Sequence, residues 1–408
     1  GDTGSIYTHD VSGTDDTAQY NTAYGLIALD AITTGDYNTT LGYAAGTDMT
    51  TGNSNNLIGY LAGENIVDGA HNTFIGRQAG RGTTSASAQI FIGGSAGEAN
   101  TTGGGNIAIG YSALDNSDTE SNNLAIGEDA LGGAINGGEY NVAIGKSSLD
   151  ALTSGDNNTV IGYQAATSLT TSNDNVIIGY NAAENATTLL ENVVIGHEAC
   201  GTGVVTAGYG VYIGKEAGLN KTSGGSNVFI GYQSGEQCTT TARSIFIGST
   251  AGDDHDTEND NIGIGNAALG GSIAGGEQNV CIGRDTGSAL TSGDYSTLIG
   301  YQAGAAVTSG SHTVAVGYQA GYNDQITGNG NLLLGNYAGF RLNSGNENTI
   351  VGYDAGTLVT SGTNNLILGR DAGGPNSPIS ISTQDHHIVL GDSNITNLIC
   401  ADTSLASS

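Results

Sequence analysis

A glycine closes an apolar step every 17 or 18 residues along almost the whole chain, and few folds tolerate that spacing. These glycines fall at 25, 42, 59, 76, 93, 110, 127, 145, 162, 179, 196, 214, 231, 248, 265, 283, 300, 317, 335, 352, 369 and 391. Only the last interval, 22 residues, leaves the range. Self-similarity at a short fixed period marks a solenoid, in which each repeat packs on its neighbours. Scattered at random, 69 glycines among 408 residues would point to disorder; on a strict period they mark corners.

The residue before each glycine is apolar in every copy, as at Leu41, Ile58, Ile161 and Ile299, with Tyr24 in the first. Three before it stands a β-branched or aliphatic residue in all copies but one, Asn56, and four before it stands Asn in 16 of 22 copies. A short apolar run ended by Gly predicts a strand. A second, weaker strand is expected about seven residues after the glycine, at Met49, Ile66, Leu152, Leu169, Leu290, Val307, Leu342 and Val359, each running into a Thr-Thr-Gly or Thr-Ser-Gly kind of turn. Glycine at the strand end permits a positive φ that Ile or Val adopts only at a cost. Ala three residues later, in 18 of 22 copies, lets two stretches of backbone approach. The Asn column suits a bend and can stack into a ladder.

The residue two before each glycine decides how the chain completes its interior. It is apolar in 20 of 22 copies and includes Phe74, Phe91, Val160, Ile177, Phe229, Phe246, Leu298 and Ile350. Strand side chains alternate faces, so this residue points opposite to its two apolar neighbours and both faces read as dry. The expectation is that this middle column packs against other copies of the chain around a symmetry axis. At about 4.8 Å per turn, 22 turns make a rod about 105 Å long.

A longer period overlies the short one. Basic residues follow the key glycine at Arg77, Lys146, Lys215, Arg284 and Arg370, and the first three gaps are 69 residues each, the length of a duplicated four-turn block. Tyr fills the same site elsewhere, including Tyr43, Tyr60, Tyr163, Tyr180, Tyr301 and Tyr318. Rings at a strand end pack with the hydroxyl in water, and rows of them also suit stacking on sugars. These six are receptor-binding candidates.

Charge excludes some partners. With 39 acidic and 9 basic residues the net charge is −30, a field that repels nucleic acid and anionic lipid. No apolar run approaches the length of a membrane span, so no membrane insertion is expected. The four cysteines, at 200, 238, 281 and 400, share no repeat position and read as single buried thiols. Residue 1 is Gly, as expected of a fragment or processed product.

Catalytic motifs are scarce, and no cofactor is expected. There is no Gly-x-Ser-x-Gly elbow, HExxH helix or P-loop. The acidic stretches "DDHDTEND" (253–260) and "DNSDTES" (115–121) offer oxygens to Ca²⁺ in one reading and solvated corners in the other. His386 and His387 form the densest His site, a weak metal candidate that symmetry would multiply. Rows of Thr pairs raise an ice-binding face, but they are broken from turn to turn.

The phrase Asn-Thr-x-Ile-Gly-Tyr-x-Ala-Gly resembles the repeats of phage tail-fibre proteins that carry a C-terminal intramolecular chaperone of the endosialidase/S74-peptidase type. It is more distantly similar to the trimeric autotransporter adhesin head. The closing segment "HHIVLGDSNITNLICADTSLASS" (386–408) resembles the stretch that precedes such a chaperone, which implies a cut behind Ser408 and a matured homotrimer. The resulting expectation is an all-β chain: a parallel β-solenoid or β-roll of about 22 turns in an intertwined or side-by-side homotrimer. It divides into a lead-in (1–20), a repeat domain (21–373) and a cap or tail (374–408). Function would be that of a non-enzymatic, extracellular virion fibre presenting a rod to a host-surface glycan or protein. A bacterial adhesin or self-assembling filament, and a glycan-cleaving β-helix enzyme, are the alternatives.

Overall fold

One three-residue strand per turn is all the regular structure that each repeat holds. The computed structural model describes residues 5–8, 17–203, 205–271, 274–323, 325–377 and 379–395. It is an all-β parallel solenoid of about 21 turns, with no helix among the described residues. The chain divides into two compact units, Gly1–Ser226 and Asn227–Ser408. The first unit runs from β1 (Ile6–Tyr7) to β13 (Val211–Ile213) and the second from β14 (Val228–Ile230) to β23 (Ile388–Leu390). Within each, a strand pairs in parallel with the same three positions one turn on, as Thr159, Val160 and Ile161 do with Val176, Ile177 and Ile178. In the second unit Val228, Phe229 and Ile230 pair with Ile245, Phe246 and Ile247.

The expected second strand is absent from the described residues. Met49, Ile66, Leu152, Leu169, Leu290, Val307, Leu342 and Val359 are all fully buried, yet they sit in bends, with isolated bridges only at Asn173–Leu190, Leu190–Gly208 and Val307–Ile326. Each is a lone apolar side chain turned inward between Thr/Ser/Gly corners, too short a run for a strand to extend. Inter-turn bonding continues without strand geometry: Thr33 N donates to Thr50 O (2.9 Å), Thr50 N to Val67 O (2.9 Å) and Val67 N to Thr84 O (2.8 Å).

The middle residue of the strand is core. Phe74, Phe91, Val160, Ile177, Phe229, Phe246, Leu298 and Ile350 are all fully buried within their own chain, so they cannot pack against another copy as expected. The assignment of faces is inverted: the middle side chain closes the coil's own interior, and its two apolar neighbours face out. In β10 (Thr159–Ile161) and β11 (Val176–Ile178) the middle residue alone is buried.

The strand-closing glycine is required twice over. Gly76 has φ of 142°, and a methyl group there would overlap the carbonyl of Gly93 on the next turn. Successive turns therefore touch backbone to backbone at this corner. Three more residues per turn are left-handed, five positions before the glycine and two and four past it, as at Asn122 (φ 61°), Ser112 (φ 51°) and Leu114 (φ 54°). The Asn column forms the expected ladder. Asn38 N and Nδ2 both donate to Asn21 Oδ1 (2.8 and 3.1 Å), and Nδ2 also donates to Gly52 O (2.8 Å). In the second unit Asn348 bonds Asn331 Oδ1 in the same way, at 3.0 Å from N and 3.1 Å from Nδ2.

Core volume is shared between the middle strand residue and the left-handed position six residues later. In four of the five turns where the first is Ala, the second is Leu: Ala23 with Leu29, Ala108 with Leu114, Ala125 with Leu131, Ala143 with Leu149. In the fifth, Ala315 meets Gly321, and Leu333 and Ile326 close on the space. Val160 and Ile177 face Ala166 and Ala183, while Phe74, Phe91, Phe229 and Phe246 face Gly80, Gly97, Gly235 and Gly252. A methyl group on Gly80 would overlap the Phe74 ring, and one on Gly356 would lie 2.8 Å from Ile350 Cδ1. Both side chains reach into one slot, and close-packed interiors hold its total volume roughly constant. Phe74→Ala is therefore expected to cost about 3–5 kcal/mol. Adding Gly80→Leu, which copies the Ala108/Leu114 arrangement, should recover more than half of that loss. The check is the urea unfolding midpoint of the two variants; a double variant no more stable than the single one would refute the shared slot.

Candidate interaction surface

The outward face of each strand carries one apolar column and one of aliphatic residues mixed with six Thr and one Asn, with no charge in either. At three and one positions before the glycine, every turn holds a residue such as Thr159 and Ile161 or Val193 and Ile195, and none of the 22 turns places an ionisable carboxylate or cation there. These side chains are half-buried to exposed in the single chain: Ile75 and Leu334 are 37% and 42% exposed. A protein of net charge −30 thus keeps its charge off this face.

Aromatic rings stand on both borders of the strip in some turns, and charged residues such as Arg77, Lys146, Asp174 and Glu191 stand there in others. Five positions before the glycine stand Tyr20, Tyr37, Tyr140, Tyr209 and Tyr295, each left-handed with φ between 58° and 61° and each at least half exposed. A bulky residue in that conformation costs on the order of 1 kcal/mol, which glycine would avoid. Just after the glycine stand the six tyrosines expected to bind a receptor. Their rings are partly exposed and brought together in three stacked pairs, Tyr43–Tyr60 (5.5 Å), Tyr163–Tyr180 (5.4 Å) and Tyr301–Tyr318 (5.2 Å). Same-position rings on adjacent turns fall near van der Waals separation because parallel strands lie about 4.8 Å apart.

The acidic loops use their carboxylates internally. Glu120 Oε2 accepts from Ser117 Oγ (3.0 Å), Asp118 N (3.0 Å) and Thr119 N (3.1 Å), and Oε1 from Gly137 N (2.9 Å). Glu258, 138 residues on, accepts from Asp256 N (3.2 Å), Thr257 N (3.1 Å) and Gly275 N (3.0 Å). Both are nearly fully buried, so these two do not belong to the solvated corners expected of the stretches that hold them. Burial alone raises the Glu120 carboxyl, but the Gly137 N–H and the other donors outweigh it and hold the group below its ordinary value. His255 of the same stretch is fully buried, its ring tilted 4.7 Å from Phe246, and desolvation drives its pKa down to about 3. Asp253 is pushed up to about 6, first by burial and then by Asp254.

His386 and His387 are both exposed, and His387 Nδ1 lies 2.7 Å from Asp385 O. Among the described residues the one grouping with metal-ligand geometry is elsewhere, His197 with Glu198 and Glu216. There the His197 ring stacks on Tyr180 (5.1 Å) and Lys215 Nζ lies 2.9 Å from Glu216 Oε1, so an ammonium already balances the carboxylates. Cys200, Cys238 and Cys281 are buried and outside any disulfide, as expected; desolvation raises Cys200 and Cys281. Cys400 and Ser408 lie outside the described residues.

Comparison with protein-family models gives no match, and comparison with curated protein sequences gives none either.

Because the Glu120 carboxyl titrates lower in the folded chain than unfolded, its contribution to stability is present above about pH 4.5 and lost as pH falls through its folded value. Glu120→Gln should flatten that part of the acid limb, read from thermal unfolding between about pH 3 and pH 6. Asp253, raised when folded, has the opposite sign: its charged form strains the fold above its unfolded value and most above about pH 6. Asp253→Asn should raise stability at neutral pH by about 1 kcal/mol, discounted for the solvent at a half-buried group.

Proposed function

We propose that this chain is a structural, receptor-binding fibre protein, assembled as a homotrimer on a virion surface such as a phage tail. It presents its side walls to a host-surface glycan or protein and carries out no chemistry. The observation that carries this reading is the uncharged, Tyr-bordered apolar face on each unit.

Strands about 4.8 Å apart and three residues wide, at 3.3 Å per residue, give the twelve full strands of the first unit about 570 Å² of outward surface, which the Tyr borders extend. Apolar patches on monomers rarely pass a few hundred Å², and a standard interface covers about 800 Å² per partner. A second copy is the partner that fits best. It offers the same ladder at the same axial period, so contacts stay in register over every turn. It also meets the first through a face from which like charges are excluded. Apolar centre and Tyr border match the composition of stable interfaces. Three copies close this face around an axis, in keeping with the tail-fibre resemblance of the repeats, which also supports the virion setting and the attachment role.

Native mass spectrometry of the full chain is expected to give three copies. Ile161→Glu with Ile178→Glu should yield a folded monomer, since both side chains face out. Val160→Glu should instead unfold the chain locally, because it buries a carboxylate in the coil. A native mass of one copy for the unaltered chain would sink the assembly reading.

A further inference from the structure

In the second unit two consecutive turns depart from the repeat by gaining aromatic residues. Two positions after the strand-closing glycine, the residue is polar, small or aliphatic in every turn except at Tyr337. Five positions after, aromatics occur only at Tyr322 and Phe340, in a column otherwise filled by small, acidic and other non-aromatic residues. All three changes fall within two consecutive turns. Tyr337 takes the left-handed conformation of its column (φ 61°), which a bulky ring adopts at a cost.

These rings join the regular Tyr pair into one connected surface. Tyr318 stacks on Tyr301 at 5.2 Å and meets Tyr337 edge-on at 5.3 Å. Tyr337 meets Phe340 at 5.7 Å and Tyr353 at 6.2 Å, and Phe340 continues to Tyr322 at 5.7 Å. Arg370 covers the far side of Tyr353, 5.8 Å from its centroid. Beside Tyr322 lies an open depression of about 380 Å³ lined by Asp285, Ser288, Gln302, Ala305 and Asn323. Gln319 Nε2 donates to Gln302 Oε1 (2.7 Å) at its rim.

The chemistry of this pairing selects a ligand. Partly exposed ring faces such as these carry negative quadrupole density and attract the weakly positive C–H face of a pyranose, gaining apolar contact without requiring an apolar ligand. Planar amides and a carboxylate at the ring edge supply donors and acceptors in the fork geometry that adjacent hydroxyls need. A chain of net charge −30 opposes polyanions, which removes sulfated and sialylated polymers from favour. We infer that Tyr322, Tyr337 and Phe340, with Asp285, Gln302 and Asn323 at their edge, form a binding site for a neutral, hydroxyl-rich saccharide. The site rests on the attachment reading above and assigns it to one surface of the second unit.

The test is an array of immobilised neutral oligosaccharides (glucans, mannans and galactans) beside sialylated and sulfated ones, probed with the full-length chain. Retention on a neutral sugar is expected, weakened about tenfold or more by Tyr337→Ser with Phe340→Ser, and likewise by the milder surface changes Asn323→Ala and Gln302→Ala. Glu98→Gln with Asn116→Ala, in a first-unit depression that has no ring in its lining, should leave retention unchanged. Circular dichroism and native mass confirm that each variant keeps its fold and assembly. If Asn323→Ala and Gln302→Ala are both without effect while the protein still binds, the site is wrong and the attachment role stands. Binding to anionic sugars only, or to none, overturns the inference; native mass and adhesion to host-surface protein then decide the attachment role separately.

Discussion

A three-residue strand forms too few hydrogen bonds to hold a turn, so the fold depends on satisfying the backbone of the corners. Each corner does so by bonding to its equivalent one turn along. Close approach of successive turns makes this possible, and at the strand-closing glycine the approach is so tight that any Cβ would strike the next turn's carbonyl. The Asn column serves the opposite corner. Its Oδ1 takes the next turn's N–H and its Nδ2 a carbonyl 14 residues on, replacing water that a buried bend cannot reach.

With the backbone fixed this way, side-chain variation is confined to volumes that can be exchanged. The slot shared by the middle strand residue and the left-handed position six residues later accepts Ala with Leu, Val or Ile with Ala, and Ile, Leu or Phe with Gly, with Ala315 and Gly321 as the smallest pair. The stacked rings of Phe74 and Phe91 (4.9 Å) and of Phe229 and Phe246 (5.1 Å) are the extreme case, each accompanied by Gly at the second site. The repeat can thus diverge widely in sequence while its backbone stays periodic. The aromatic breaks at Tyr322, Tyr337 and Phe340 fall in outer columns that the shared core volume does not govern, and at Tyr337 the ring takes a left-handed position that smaller residues fill elsewhere.

Much of the outer surface was legible in the residues alone. The six tyrosines after the glycine are exposed and paired as stacks, which a fixed period and parallel pairing imply. The acidic loops were read less well. Nothing in "DDHDTEND" marks Glu258 and His255 as inward-facing while Asp254 and Asp256 stay out, because a bend has no alternation to follow. The aromatic cluster of the second unit also escaped a reading built on what every turn shares, since its members are departures from the pattern.

The amino-acid sequence by itself determined the period, the one firm strand of each turn, the glycine and alanine corners, the Asn ladder and the placement of single buried thiols. Each follows from a local requirement that one residue type meets. Only the tertiary structure decided which face of the strand turns inward. A strand of three consecutive apolar residues presents an apolar side chain to both sides, so its pattern has no sign. Closing the coil sets the sign: the interior lies on one side of the strand, so it takes the single middle residue and leaves the outer two to whatever meets them.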